Sequence, residues 1–359
     1  MPGRDACHGH KQRCGACSLK RLFVFAAAAV AILLVAATLA LIRMNSFLHT
    51  PVVVDAAGVE FEVVSGASFR AVSDDLAERG IIRHTRLFRL YARWTGQAGA
   101  IQAGDYLIKQ GTTPAELLQQ FTSGAVQLYS FTIIEGWNQW DLLKALHEHP
   151  QIDASLTDED WPALLEALGA DVRHPEGLFL PETYRFPRHT ADRSVLAQAY
   201  KLMQRVLEEE WSGRAREIAV ATPYEALILG SIVEKETARP DERARISGVF
   251  SRRLEKRMRL QTDPTVIYGI GRTFNGNLTR RDLLTDTPYN TYTRRGLPPT
   301  PIALPGRAAI HAALHPADGE ELFFVATGLG DGSHAFSTTK EQHDAAVADY
   351  LKRLRQQRQ

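Results

Sequence analysis

The chain has 359 residues, 45% of them apolar and 23% charged, enough to bury the cores of two or three folded units. Its 42 Lys and Arg stand against 41 Asp and Glu, so there is no net basic field to hold nucleic acid by its phosphates, and nucleic acid is excluded as the expected partner. The three cysteines, Cys7, Cys14 and Cys17, all fall near the N-terminus, which leaves the rest of the chain to fold without disulfides.

Residues 1–21 form a polar tail in which Arg4, Lys11, Arg13, Lys20 and Arg21 face a single acid, Asp5. Residues 22–42, "LFVFAAAAVAILLVAATLALI", then run without a charge. At about 1.5 Å per residue a helix of that length crosses a hydrocarbon core of about 30 Å. Only Arg43 follows closely, so the positive-inside rule places the N-terminus in the cytoplasm and the chain after about residue 45 on the far side of the cytoplasmic (inner) membrane. The apolar run exceeds the roughly 7 to 15 residues of a cleavable signal and reads as an uncleaved anchor. The tail's "CHGHKQRCGAC" has one CxxC and two histidines but no matched second pair, so no metal is expected there.

A linker, 43–58, leads to a small domain over 59–124. "VEFEVV" alternates at period two, as a half-buried strand does. "SFRAVSDDLAERG" and "TRLFRLYARWTG" follow as helices, each ended by glycine, and "GDYLI" as a returning strand. Phe69, Phe88, Tyr91 and Trp94 stand at core spacing. Thr113, Pro114 and Glu116 open a last helix with a capping box, and Gly124 closes it. The strand-helix-helix-strand order resembles a LysM-type glycan-binding module in pattern alone; a spacer that binds nothing has the same pattern.

Residues 125–359 form the second unit, opened by the strand "VQLYSFTII" and a helix capped at Asn138, and closed by a charged helix after Thr339. The fold class expected is α+β: one N-terminal transmembrane helix, a LysM-like subdomain, and a mixed α+β catalytic domain in which the central helix packs on a small sheet and the proline-rich "GLPPTPIALPG" loop lies near a cleft.

That central helix, "ILGSIVEKETA", carries Glu234, Lys235 and Glu236 straight out of an apolar run. Glu234 shares a face with Leu227, Gly230 and Ser231, small enough for a ligand to approach, whereas Glu236 lies behind Leu229, Ile232 and Val233. A carboxyl half-shielded by apolar neighbours keeps its proton to higher pH, as a general acid at a glycosidic oxygen must. Spacing alone does not choose between the two glutamates, nor exclude a solvated helix end.

"SIVEKET", then "RLQTDPTVIYG", "YNTYTRRGLPP", "EGLFLPETY" and the late "HPADGEELFFVA" and "HAFSTTKEQHDAAV" together resemble the membrane-anchored endolytic murein transglycosylases, the YceG-like family. The resemblance spans nearly the whole chain except the Cys/His tail. It implies that Glu234 is the catalytic residue and that the substrate is the β-1,4 bond between N-acetylmuramic acid and N-acetylglucosamine in nascent glycan strands. The implied product is a 1,6-anhydromuramoyl end. Glu234 would act as acid and then as base toward the sugar's own C6 hydroxyl, without cofactor or metal, and the implied effect is the termination of strand elongation. The resemblance also implies partners among peptidoglycan synthases.

Gln261 and Asp263 in "LQTDPT", Glu182 and Tyr184 in "PETYRF", and Tyr289, Asn290 and Tyr292 in "YNTY" are the candidates to bind the sugar or orient Glu234; each also has a structural reading, Asp263 as a turn starter and Glu182 as a helix cap. His311, His315, His334 and His343 lack a ligand spacing such as HExxH and read as core or surface residues. A non-catalytic, membrane-anchored glycan-binding scaffold is the alternative function. A pyridoxal-phosphate lyase would need a Schiff-base lysine, a phosphate cup and a cytoplasmic substrate.

Overall fold

The structure, a computed structural model, describes residues 14–357 and divides into two compact units, one ending at Gln127 and the other beginning at Leu128. Cys7, His8 and His10 of the tail lie outside the described residues.

In the first unit, helix α1 (Cys14–His49) contains the apolar run, and its segment Leu22–His49 is long and apolar enough to cross a membrane. Strand β1 (Val59–Val63), helices α2 (Phe69–Glu78) and α3 (Thr85–Trp94), and strand β2 (Gly104–Ile108) follow in the expected order. β1 and β2 pair antiparallel with Phe61 opposite Tyr106. Helix α4 (Pro114–Ser123) starts in a complete Thr113–Glu116 capping box and stops at Gly124, whose φ of 70° suits glycine. Phe61, Leu76, Phe88, Tyr106, Ile108, Leu117 and Phe121 fill the core. Phe69 and Phe88 are buried as their spacing predicts, but Trp94 is 82% exposed. It closes the last turn of α3, on the side away from Phe88 and Ala92, where the small core has no room to reach it.

In the second unit, strand β3 (Tyr129–Thr132) leads to helix α5 (Gln139–Glu148), whose cap Asn138 accepts from the backbone N–H groups of Trp140 and Asp141. Strand β4 (Ile152–Asp153), helix α6 (Trp161–Ala167), strands β5 (Thr183–Phe186) and β6 (Thr190–Ala191), and the long helix α7 (Asp192–Ser212) come next. Helices α8 (Pro223–Glu236), α9 (Pro240–Glu255), α10 (Asp263–Ile270), α11 (Arg280–Leu284) and α12 (Arg307–Leu314) form the middle. A hairpin of β7 (Phe323–Ala326) and β8 (His334–Ser337) and helix α13 (Lys340–Gln357) end the chain. β3 pairs antiparallel with β5 and β4 parallel with β6, so every sheet among the described residues has two strands.

The central helix α8 packs on other helices, α12 above all and then α9, α7 and α10, and not on a small sheet as the sequence suggested. Its residues from Ala226 to Val233 are all buried, and a helix apolar on every side needs neighbours on every side, which a two-stranded sheet cannot supply. Gly230 is the contact point: a Cβ there would lie 3.3 Å from the Ile310 Cα of α12. Ser231 Oγ accepts from Ile302 N–H at 3.0 Å and donates to Ile228 C=O at 2.7 Å. The small residues therefore admit α12 and the proline-rich segment to that face, in place of a ligand. Gly230→Val should force those backbones apart and lower stability by about 1–3 kcal/mol in chemical denaturation of the membrane-extracted protein; an unchanged midpoint would show that the crossing relaxes freely.

Candidate active site

Glu234 sits in the last turn of α8, with only 6% of its side chain exposed. Its Oε2 accepts from Gly306 N–H at 2.9 Å, and its Oε1 lies 3.5 Å from Arg243 Nη2 of α9. The turn after β3 closes over it. Gly136 N–H donates to Leu304 C=O at 2.9 Å and Leu304 N–H to Trp137 C=O at 2.6 Å, tying that turn to the proline-rich segment. Lys235 Nζ donates to Gly136 C=O at 3.0 Å. Glu135, in the same turn, is half exposed and brings Oε2 to 3.8 Å from the same Arg243 nitrogen. The two carboxylates thus share one guanidinium.

Burial pushes the Glu234 carboxyl above its ordinary range, and the nearby Glu135 charge pushes the same way. The Gly306 N–H, Arg243 and Lys235 oppose this without cancelling it. Its place at a helix C-terminus, where the dipole is negative, also disfavours a carboxylate. Gly306 is required for the arrangement as it stands, since a Cβ there would lie 1.8 Å from Glu135 Oε1 and would displace that carboxylate.

Glu236 turns into a different cluster. Thr262 Oγ1 donates to it, and Asp263, His334 and Arg253 are the titratable groups whose fields act on it. Burial raises its carboxyl to about 7. Burial thus favours the protonated form of both glutamates. Position separates them: Glu236 is engaged by Thr262 inside the unit, whereas Glu234 adjoins the exposed Glu135 at the surface.

The sugar-binding candidates scatter. Asp263 opens α10 and accepts from Tyr292 OH at 2.5 Å, so these two are brought together. Gln261 is exposed, with φ of 51°, and its N–H donates to Thr291 C=O at 3.2 Å. Tyr289 is half-buried, its OH 2.9 Å from Thr300 Oγ1 and its ring edge-on to Tyr268. Asn290 is fully buried; its Nδ2 donates to the carbonyls of Asp282, Leu283 and Thr285, and its Oδ1 accepts from Tyr292 N–H. Tyr184 is buried on β5 and donates to Leu180 C=O at 2.6 Å. Glu182 is exposed beside β5 and accepts from Thr183 N–H. None of the seven is within hydrogen-bond reach of Glu234, and Asn290 and Tyr184 spend their polar groups on backbone.

Glu135, Arg243 and Gly306 escape a reading of spacing because nearly a hundred residues separate "EGW" from the helix it meets. The only local signal is a glutamate placed before a glycine in a turn. Among the described residues Glu210, His311 and His315 have ligand atoms close enough to hold a metal ion. However, Arg307 Nε lies 2.6 Å from Glu210 Oε1 and repels a cation, and His311 Nδ1 already lies 2.7 Å from Oε2.

Residues 61–349 match the YceG-like family, and the chain belongs to that family. It is 30% identical over 310 residues to the endolytic murein transglycosylase of Bacillus subtilis, covering 82% of this chain and 85% of that protein. It is 27% identical over 324 residues to the endolytic murein transglycosylase of Streptococcus pneumoniae, covering 80% of this chain but only 58% of that longer protein. The crystal structure of a yceG-like protein from Listeria monocytogenes superposes with a TM-score of 0.50 at 25% identity, over 81% of this chain and 99% of that one.

A third buried carboxyl, Glu176, accepts from Gln139 N–H at 3.1 Å through Oε2, and the Nε2 of the same Gln139 donates to Tyr268 OH at 3.2 Å. Burial raises it to about 8. Because its folded-state pKa lies above the unfolded value of 4.5, its contribution to stability is complete below that value and is lost as pH rises to about 8, at about 1.4 kcal/mol per pH unit. Glu176→Gln should therefore flatten the decline of the melting temperature over this range; wild-type and variant curves that stay parallel would place the ionised carboxylate in the fold at no cost.

Proposed function

We propose that this protein is an endolytic peptidoglycan transglycosylase, anchored by α1 in the cytoplasmic membrane with its second unit outside. It cleaves the β-1,4 bond between N-acetylmuramic acid and N-acetylglucosamine in nascent strands, terminates their elongation, and works beside the synthases that make them. Membership of the YceG-like family and the names of the Bacillus and Streptococcus relatives support the reaction class. The observation that carries the residue assignment is Glu234: a shielded carboxyl with a raised pKa, at the edge of the unit, beside an exposed acid.

In this mechanism protonated Glu234 donates to the glycosidic oxygen as the C1–O bond breaks. The resulting carboxylate then takes the proton of the C6 hydroxyl as that oxygen attacks C1 and closes the 1,6-anhydro ring. Atoms balance with no water consumed, and one carboxyl serves both steps because the nucleophile belongs to the same sugar. Arg243 steadies the carboxylate formed between the two steps. Glu135 keeps Glu234 protonated beforehand, since a neighbouring negative charge disfavours ionisation.

A second reading follows from the shared guanidinium. Arg243 Nη2 stands 3.5 Å from Glu234 and 3.8 Å from Glu135, which bounds the separation of those carboxylate oxygens at about 7.3 Å. A separation within that limit can meet the spacing of two-carboxylate glycosidases, about 5 to 9.5 Å, in which case Glu135 would be base or nucleophile and water would enter the product. Mass spectrometry of fragments released from uncrosslinked glycan strands separates the two. Anhydro ends from wild type and from Glu236→Gln, but none from Glu234→Gln, are expected. Reducing ends would move the assignment to hydrolysis with Glu135 as partner; binding without cleavage by wild type would favour a glycan-binding scaffold.

The pH profile is a further test. Activity that needs protonated Glu234 falls as pH rises through its pKa. Glu135→Gln should move this falling limb to lower pH while leaving cleavage intact in acid; an unmoved limb would remove Glu135 from the electrostatics of the site.

A further inference from the structure

The outer face of α3 is unlike the rest of the first unit. Phe88 and Ala92 point inward, and Arg86, Leu90, Arg93 and Trp94 point out. Leu90 is 57% and Trp94 82% exposed, four residues and about one turn apart on a face shared with two arginines. No acid forms a salt bridge with Arg83, Arg86 or Arg93 among the described residues; the helix's other arginine, Arg89, pairs with Asp74. A tryptophan and a leucine flanked by uncompensated arginines is the composition of a helix lying in the boundary layer of an anionic bilayer.

Position agrees with composition. The apolar run of α1 ends at Ile42, and Phe47, about 7.5 Å further along the helix axis, stands in the headgroup layer. The Phe47 ring meets His84, the residue just before α3, edge-on at 6.2 Å. Between them lies a cavity of about 780 Å³ walled by Leu39, Ile42 and Phe47 on α1 and by Ile82, Arg83 and Leu87 on the other side. Leu39 and Ile42 belong to the apolar run itself, so the start of α3 stands at the level where that run leaves the membrane.

We propose that the outer face of α3 docks on the bilayer from which α1 emerges, with Leu90 and Trp94 in the boundary between headgroups and acyl chains and Arg86 and Arg93 on lipid phosphates. This rests on α1 being a membrane span. The first unit is then a two-point membrane attachment, held by the span and by α3. Sugar stacking is the competing use of an exposed tryptophan, but the other exposed side chains of α3 are arginine and leucine, and the helix itself carries no amide or carboxylate to meet sugar hydroxyls.

The test uses the full chain in nanodiscs of phosphatidylglycerol whose acyl chains are brominated near the headgroup. The Trp94 emission is taken as the difference between wild type and Trp94→Phe. The expected result is a blue-shifted component that loses most of its intensity to the bromines and regains it in Arg86→Glu/Arg93→Glu. A Trp94 component with solvent-like emission and no quenching, in protein that stays in the nanodisc through a high-salt wash, would overturn the docking and leave the span intact. Emission moved by soluble glycan strands but not by bromolipid would overturn it too and give the face to sugar. Protein that washes out of the bilayer would refute the span and the docking together.

Discussion

The hydrogen bond from Gly306 N–H to Glu234 joins the end of a buried helix to the end of the proline-rich segment, and the geometry around it depends on that junction. α8 is enclosed by helices from Ala226 to Val233 and cannot shift without opening the core. The proline-rich segment is held to it at Ser231 and at Glu234, and to the "EGW" turn through Leu304. Three stretches far apart in sequence therefore converge on one carboxyl. Its protonation is set by how completely they shield it and by which charges they carry, Glu135 on the turn and Arg243 on the next helix.

Burial does opposite things to the two acids of the Glu-Lys-Glu triplet, although it raises both. Two residues along a helix is about 200°, so Glu234 and Glu236 leave the same core on opposite sides. Glu236 enters a cluster that satisfies it with Thr262 and surrounds it with Arg253, His334 and Asp263. Glu234 ends beside a half-exposed carboxylate and a guanidinium shared with it. A raised pKa is common to structural and chemical carboxyls, and Glu176, raised to about 8, is held inside the unit by Gln139 N–H. What distinguishes a working acid is access.

Local chemistry made the elements legible. The alternation of "VEFEVV", the Thr113–Glu116 capping box, the Asn138 cap and the stop at Gly124 each report on a few neighbouring residues, and each is where its pattern places it. Contacts across the chain were not legible in the same way. Gly230 and Ser231 looked like room for a ligand because a helical face shows which residues are small but not what fills the space; α12 and Ile302 fill it. Asn290 looked like a sugar-binding amide, yet its donors hold three carbonyls around the end of α11. Trp94 had core spacing, yet it lies on the side of α3 away from Phe88 and Ala92, the residues that the helix buries. Glu135 had no periodicity to announce it.

The account stands on Glu234 holding a proton that Glu135 helps to keep. The most direct measurement is the titration of that one carboxyl by ¹³C NMR of glutamate-labelled protein in detergent micelles, taking the resonance lost in Glu234→Gln. The account predicts a midpoint above that of a free glutamate, which falls when Glu135 is replaced by Gln. A midpoint at or below the free value, unmoved by Glu135→Gln, would contradict it, because Glu234 would then be ionised when the substrate arrives and could not be the acid.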